Sequence, residues 1–385
     1  MKKFWLSKVD CTGCGMCANV CPKNAISIEE DSCGFYYPVI SNNCINCDAC
    51  EKACRKRIDV HRDNYPKPIT YATWSQDKDI RFKSTSGGAF SELVLPVLNS
   101  NGYVVGAEYD TDNTVKHCVI HNTDDLNRIR QSKYVQSWSG DIYSQVKKLL
   151  KDNTCVVFCG TPCQIAALYA YLGKEYDNLY TIDFVCRGVN SPKAYRAWLS
   201  EIEVDNNTRI NKVWFKYKVN GWKASPLCTR LDFENGEYVV LNGRENLFMD
   251  GYLTSNLYIR PSCANCHFKG VPRLSDITLA DFWGIEAELD DDKGTSMLLI
   301  NSRKGQELFD KVVITLSSTP KTFETACQGN VCLSSSVVID NLRNKQFLES
   351  LDKMKFSKAF DKFQSGRPTI GQWIKRKLKQ YWGQK

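Results

Sequence analysis

The residues with the most chemical meaning in this chain are cysteines, and their spacing is regular. Cys11, Cys14 and Cys17 fall at intervals of three and are followed by Cys21; Cys44, Cys47 and Cys50 repeat the interval and are followed by Cys54. Thiolates are soft donors. A doubled C-x2-C-x2-C-x3-C run is the spacing with which two [4Fe-4S] cubanes are held, three sulfurs from one run and the fourth from the other. The expected sets are therefore Cys11, Cys14, Cys17 and Cys54 on one cluster, with Cys44, Cys47, Cys50 and Cys21 on the second. Such clusters exchange electrons singly, so electron transfer is the predicted chemistry. Pro22 follows Cys21 whereas Arg55 follows Cys54, a change of turn and not of donor count.

Disulfides and zinc are the competing uses of so many thiols. The opening MKKFWLSKVD has no apolar stretch of the secretory kind, so a reducing cytoplasm is expected, where the 19 cysteines serve as ligands rather than crosslinks. Zinc sites ordinarily take two C-x2-C pairs or Cys/His mixtures, and need no doubled run of four. At 385 residues there is room for two or three domains, and with 43% hydrophobic and 24% charged residues the composition is that of a folded protein without a membrane span. The formal charge of +8 is reduced by the anionic clusters. The basic residues are scattered and accompany no recognised motif, so no nucleic-acid partner is expected.

The elements that must position these residues follow from periodicity. Residues 25–28 and 36–40 read as short strands in a segment, 1–62, so poor in apolar sequence that the clusters themselves must hold it folded. Prolines at 66 and 68 open a linker, 63–83. Ala89, Phe90, Leu93, Val94, Val97 and Leu98 share a helical face that Pro96 should bend, residues 103–107 form a buried strand, and residues 141–150 an amphipathic helix. Residues 155–158, a helix capped by Thr161 with Pro162 at its first position and stopping near Gly173, and residues 179–185 make a βαβ unit, hence a parallel sheet. Between 210 and 245 the period falls to two, with turns at Asn220-Gly221 and Glu234-Asn235-Gly236, which predicts an antiparallel insertion.

A second group of cysteines lies on this framework. Cys163 sits at the N-terminus of the Thr161 helix, where the helix dipole favours a thiolate, and Cys186 follows the next strand. Both emerge at the carboxyl edge of the sheet, where open α/β sheets place their chemistry. Cys263 and Cys266 form a C-x2-C loop between Pro261 and Pro272. Four ligands for a third cluster, or independent buried thiols with a labile metal at the loop, satisfy the spacing equally. Cys159 is a redox partner or alternative ligand for Cys163, while Cys155, Cys118, Cys228, Cys327 and Cys332 read as structural. Ser84-Thr85-Ser86-Gly87-Gly88 opens a helix and forms either a phosphate cradle or an ordinary cap. Residues 130–137, with cations and Tyr134, suit a flavin or a solvated loop. No G-x-G-x-x-G follows a strand, so a Rossmann dinucleotide site is not expected. A flavin has a chemical rationale, because clusters carry single electrons and most organic acceptors take two.

Four segments together resemble a known family: Lys83-Ser84-Thr85-Ser86-Gly87-Gly88-Ala89, Phe158-Cys159-Gly160-Thr161-Pro162-Cys163-Gln164-Ile165, Cys263-Ala264-Asn265-Cys266, and Ser275-Asp276-Ile277-Thr278-Leu279-Ala280-Asp281-Phe282-Trp283-Gly284. Over about residues 1–345 the chain is similar to the coenzyme F-420 hydrogenase/dehydrogenase beta-subunit family, preceded by a two-cluster ferredoxin domain. The resemblance implies FAD, contacted by Ser84, Ser86, Gly87, Gly88 and Lys133. It also implies a third [4Fe-4S] cluster on Cys163, Cys186, Cys263 and Cys266, with Asp276, Asp281 and Lys293 lining the site. No catalytic residue is assigned. Implied partners are an electron carrier such as ferredoxin and a small two-electron substrate, either coenzyme F-420 or another organic molecule, including one from polysaccharide biosynthesis.

The expected architecture is an α+β ferredoxin-like two-[4Fe-4S] domain (1–62), a linker (63–83), a mixed α/β flavin-binding domain with an antiparallel hairpin insertion (84–345), and a basic amphipathic tail (346–385). Within the tail, residues 367–385 hold six basic residues and no acid, with Ile370, Trp373, Ile374, Leu378 and Trp382 at helical spacing. Such a helix either lies peripherally on an anionic membrane or packs on protein. The expected function is an iron–sulfur flavoprotein oxidoreductase. The alternative is a non-catalytic cluster carrier or interaction subunit, and flavin content separates the two.

Overall fold

The computed structural model describes residues 4–224 and 228–364. Alternating exposure at the start of the chain produces two short strands, β1 (Ile26–Glu30) and β2 (Tyr36–Ile40), paired antiparallel. The cysteine runs flank them on short helices, Met16–Asn19 and Ala49–Ile58. This segment does not stand alone. Phe35 and Tyr37 of β2 share a core with Tyr195, Trp198, Phe248 and Phe347, while Cys14, Met16 and Cys54 pack with Val105, Tyr143, Ile165 and Leu168. The apolar surface it lacks is supplied by the rest of the chain, so clusters are not its sole support.

The next strands are β3 (Ile69–Ser75), β4 (Tyr103–Tyr109), β5 (Val115–Ile120), β6 (Val156–Cys159) and β7 (Leu179–Phe184). A separate three-stranded antiparallel sheet follows, β8 (Ile210–Trp214), β9 (Thr229–Phe233) and β10 (Tyr238–Leu241), in the order β10-β9-β8. The chain then returns with β11 (Ile277–Asp281), β12 (Ser296–Ile300) and β13 (Leu316–Lys321) to complete an eight-stranded sheet ordered β13-β3-β12-β11-β7-β6-β4-β5. Its centre, β4-β6-β7-β11, is parallel and its flanks are antiparallel, so the fold is mixed α/β as the periodicities implied.

The βαβ unit follows its local signals. Val156, Val157 and Phe158 are fully buried, as a central strand requires. The helix Pro162–Leu172 starts with Pro162, the Thr161 amide donates to Gln164 Oε1 at 2.9 Å, and Gly173 ends it at φ 74°. Pro96 lies inside the helix Ala89–Asn99, whose apolar face is buried.

Three boundaries differ from the sequence reading. Residues 69–75 pair with β12 and β13, so the stretch 63–83 enters the main sheet at Ile69 and connects only through 63–68. β8 ends at Trp214, and Asn220-Gly221 closes a 3-10 turn with Gly221 at φ 93°, not a two-residue hairpin. Finally, the helices Asn341–Ser350 and Phe356–Phe363 are part of the core: Phe347, Phe356 and Phe360 are at most 1% exposed and pack with Phe248 and Tyr258. A tail beginning at 346 is therefore wrong for residues 346–363, whose aromatics fill the interior; the basic stretch 367–385 lies outside the described residues. Among the described residues no helix is long and apolar enough to cross a membrane.

Truncating a fully buried aromatic costs about 3–5 kcal/mol. Phe360→Ala should destabilise the full chain by that amount in denaturant unfolding. A loss under about 1 kcal/mol would return this helix to the status of an appendage.

Candidate iron–sulfur and cofactor site

The cysteine runs enclose two separate pockets. One is lined by Cys11, Cys14, Cys17 and Cys54, with Thr12, Gly13, Gly15, Met16, Ile28, Pro38 and Arg57 among its other walls. The second is lined by Cys21, Cys44, Cys47 and Cys50, with Pro22, Lys23, Ile26, Ile40, Ile45, Asp48 and Ala49. Each pocket thus collects three cysteines of one run and the fourth of the other. All nineteen cysteines are free thiols. Among the described residues, no three His, Cys, Asp or Glu side chains gather tightly enough for a single metal ion. Four sulfurs standing around a space, rather than converging on a point, suit a cubane, whose corners meet the sulfurs.

Electrostatics ties the sets together. Burial raises the Cys17 pKa well above its ordinary value, and Cys14, Cys11, Cys54 and Cys50 then add to the effect. Cys54 is pushed up to about 12 by burial, with Arg57 opposing and Cys14, Cys11 and Cys50 reinforcing. Cys50 of the outer pocket is therefore within electrostatic reach of the inner one.

Glycine is required where the inner run meets the sheet domain. Gly13 has φ +67°, and a Cβ there would lie 2.7 Å from Tyr36 O and 2.8 Å from Arg260 Nη1; at Gly15 (φ +76°) it would collide with Ser139 Oγ. Arg260 is fully buried at this seam and donates to Cys11 O (2.8 Å), Gln136 Oε1 (2.9 Å) and Tyr36 O (3.0 Å). It immediately precedes the loop that carries Cys263 and Cys266.

That loop reaches the carboxyl edge of the sheet. Burial raises Cys186 well above its ordinary pKa, and Cys263, Cys163 and Cys266 add to the rise with Lys269 opposing. Cys163 is pushed up to about 12 by burial, with Thr161 opposing and Cys266 and Cys14 adding. All four cysteines expected to hold a third cluster are thus within mutual electrostatic reach, and Cys163 is within reach of Cys14 in the inner pocket. The expectation that the helix dipole makes Cys163 a thiolate is not met, because enclosure among other thiols outweighs it. A metal core would reverse this, since a coordinating thiol is deprotonated outright.

Lys133, Cys159, Cys163, Cys186 and Cys263 are each only partly exposed, and burial dominates the pKa of every one. Groups that touch solvent while enclosed by protein form the wall of a cleft. It opens along the carboxyl ends of β6 and β7, where Phe184 is 39% exposed. Burial draws Lys133 down to about 7 and raises Cys159 to about 12.

Ser84, Ser86, Gly87, Gly88 and Lys133 do come together, since Ser132 N–H donates to Thr85 Oγ1 and Gln131 Nε2 to Lys83 O. Their donors, however, are engaged. Ser84 Oγ donates to Ile80 O, Ser86 Oγ to Thr295 O, Gly87 N–H to Ser296 Oγ, and Lys133 Nζ to the carbonyls of Arg128, Arg130 and Gln131. The stretch after Arg130 is a strap: it leaves this loop, pairs Gln136 with Tyr36 and Arg260, and sends Ser139 Oγ to Cys14 O at 2.8 Å. It links the flavin-type loop to the inner pocket.

Of the three further residues implied by resemblance, Asp281 stands at the carboxyl end of β11. It pairs with buried Lys216 at 2.9 Å and accepts from Trp222 Nε1. Lys293 is exposed, and only its carbonyl joins the loop, through Lys218 Nζ. Asp276 lies at the other end of β11, fully buried, bonded to Thr181, Ser302 and Arg62, and its role there is structural. Sequence reasoning missed Arg57, Arg260 and Lys216. Arg57 stands three residues after Cys54, a usable signal; the other two have none.

Comparison with known proteins agrees with this organisation. Residues 10–58 match the 4Fe-4S dicluster domain, and residues 154–322 match the family defined by the C terminus of the coenzyme F420 hydrogenase/dehydrogenase beta subunit. An uncharacterized protein of Methanocaldococcus jannaschii is 23% identical over 339 residues, 79% of this chain and 86% of the relative. An uncharacterized ferredoxin of the same organism is 41% identical over 44 residues, 11% of this chain and 57% of its own length. A chain of the F420-reducing [NiFe] hydrogenase complex from Methanosarcina barkeri superposes with a TM-score of 0.47 at 19% identity, covering 78% of this chain and 93% of that one. The fold and the cysteine sets define an iron–sulfur protein of the oxidoreductase, electron-transfer class. Through residues 154–322, which contain Cys163, Cys186, Cys263 and Cys266, the chain belongs to the coenzyme F420 hydrogenase/dehydrogenase beta-subunit family.

Arg260→Met would leave three buried acceptors unpaired, at about 1–3 kcal/mol each. It should lower stability by at least about 3 kcal/mol and release the N-terminal segment to limited proteolysis before the sheet domain is cut. Unchanged proteolysis and unfolding would remove Arg260 as the seam.

Proposed function

We propose that the protein is an iron–sulfur oxidoreductase unit that moves electrons between a protein docking at its outer pocket and a two-electron substrate at the sheet-edge cleft. One observation carries this reading: each of two pockets is lined by the four cysteines that spacing assigns to one cluster. We assign Cys11, Cys14, Cys17 and Cys54, then Cys21, Cys44, Cys47 and Cys50, as ligands of two [4Fe-4S] clusters. Cys163, Cys186, Cys263 and Cys266 are assigned to a third. Bound there, such clusters supply one-electron exchange.

The chain's own contribution is order. Cys47 is exposed and Ile45 beside it is 55% exposed, which offers a small carrier such as ferredoxin a place to approach. Cys14 and Cys163 are neighbours in the middle, and Cys186 faces the cleft beside Cys159. For FAD the fit is one of place. The loop 84–88 and Lys133 form a wall near Cys159, where a flavin would convert single electrons into pairs. Coenzyme F-420, for which the family is named, is the first acceptor to offer; a polysaccharide precursor is the second. A second reading, a cluster carrier without flavin, is favoured by the engagement of the Ser84, Ser86, Gly87 and Lys133 donors within the protein.

Anaerobically purified full-length protein should contain about twelve irons per chain with matching acid-labile sulfide. A Cys263→Ser, Cys266→Ser double variant should lose about four irons and keep the other eight or so. Material without labile sulfide would end the proposal, and eight irons in both proteins would end the third site alone. Stoichiometric FAD supports the oxidoreductase, and its absence supports the carrier.

A further inference from the structure

Arg57 is an arginine in an unusual place. It is 2% exposed, and among the described residues it has no carboxylate partner, although a buried guanidinium is costly unless something anionic meets it. Its Nη1 donates to Thr12 Oγ1 and reaches Cys14 Sγ at 3.6 Å. Its Nε has no hydrogen-bond partner, and the guanidinium sits 5.4 Å from the Phe268 ring centroid. Apart from thiols, it is the one charged residue among those described that lines the inner pocket, whereas the outer pocket is lined by Lys23 and Asp48 at the surface.

Position explains what the charge meets. Arg57 lies on the helix Ala49–Ile58, which also carries Cys54 and packs against the helix that begins at Pro162-Cys163. Its charge therefore interacts with Cys14, Cys54, Cys163 and Cys11, residues of two ligand sets. Among the described residues, no side chain other than Arg57 supplies this seam with a positive charge in contact with a cysteine sulfur.

We propose that Arg57 is the internal counter-charge of the inner cluster and holds its reduction potential above that of the same site without the cation. The inference rests on the assignment of Cys11, Cys14, Cys17 and Cys54 as cluster ligands. Reduction brings one electron, and no proton, to a site whose thiolates already make it anionic. A fixed cation touching a ligand sulfur favours that added electron, because potentials of these clusters follow net charge and hydrogen bonding to sulfur. Being buried, the charge is little screened by salt. Arg57 is thus a positioning residue acting through Cys14.

The test is an anaerobic redox titration of full-length protein followed by electron paramagnetic resonance, with iron and labile sulfide counted in every sample. Arg57→Met should shift one cluster's redox equilibrium at least tenfold toward the oxidised form, about 59 mV lower for a one-electron couple, leaving the outer cluster unmoved. Arg57→Lys keeps the charge but draws it back from Cys14, so its midpoint should fall between wild type and Arg57→Met. If Arg57→Met fails to assemble, Arg57→Gln takes its place as the neutral variant. Unchanged midpoints at full iron content, or Arg57→Lys as low as the neutral variant, would overturn the proposal while the ligand assignment stands. Wild-type protein lacking iron and sulfide would instead overturn the assignment itself.

Discussion

Crowding of thiols is the constraint to which the rest of the molecule answers. Cys11, Cys14, Cys17, Cys50, Cys54 and Cys163 lie within one another's electrostatic reach, and Cys163 in turn lies within reach of Cys186 and Cys266. Enclosed and close together, these groups resist ionisation, since each new anion repels the others in a medium that screens poorly. Two arginines, Arg57 and Arg260, meet that arrangement from inside, one at a sulfur and the other at a backbone carbonyl. A segment of some sixty residues cannot bury such a group with its own apolar side chains. It borrows them, through Phe35 and Tyr37 on one side and Met16 on the other.

The sheet domain meets the cysteine segment with the part of its architecture suited to the task. A parallel centre puts the ends of β6, β7 and β11 along one edge, and the helix after β6 starts there with Cys163. Residues 130–139 then close the distance between the flavin-type loop and the inner pocket, through Ser132, Gln136 and Ser139. A shift of the inner cysteines is thereby mechanically connected to the cleft. Far from that edge, Arg62 ties the connector after the cysteine runs to Asp276 and Glu175, so the two parts are fastened at both ends of the sheet.

The antiparallel insertion braces the cleft. Lys216 and Lys218 follow β8: the first pairs with Asp281 and lies over the stacked Trp222 and Trp283, the second donates to the carbonyls of Arg81, Ser86 and Lys293. These contacts hold the loop 84–88 from behind, which is why its serine and glycine donors point into protein.

Local patterns in the chain were sufficient for whatever depends on neighbours in sequence. The cysteine intervals, the Thr161-Pro162 start and Gly173 stop of a helix, and the strand pair after Cys21 all follow from spacing, capping and alternation within a few residues. What required the tertiary structure was every relation between distant segments. That residues 69–75 enter the central sheet, that Phe356 and Phe360 belong to the core, and that Asp276 and Asp281 lie at opposite ends of one strand depend on pairings hundreds of residues apart, which no local period encodes. The same holds for Arg57 and Arg260. An arginine beside a cysteine run reads as solvated surface, and only the packing of the sheet domain over it turns that charge inward.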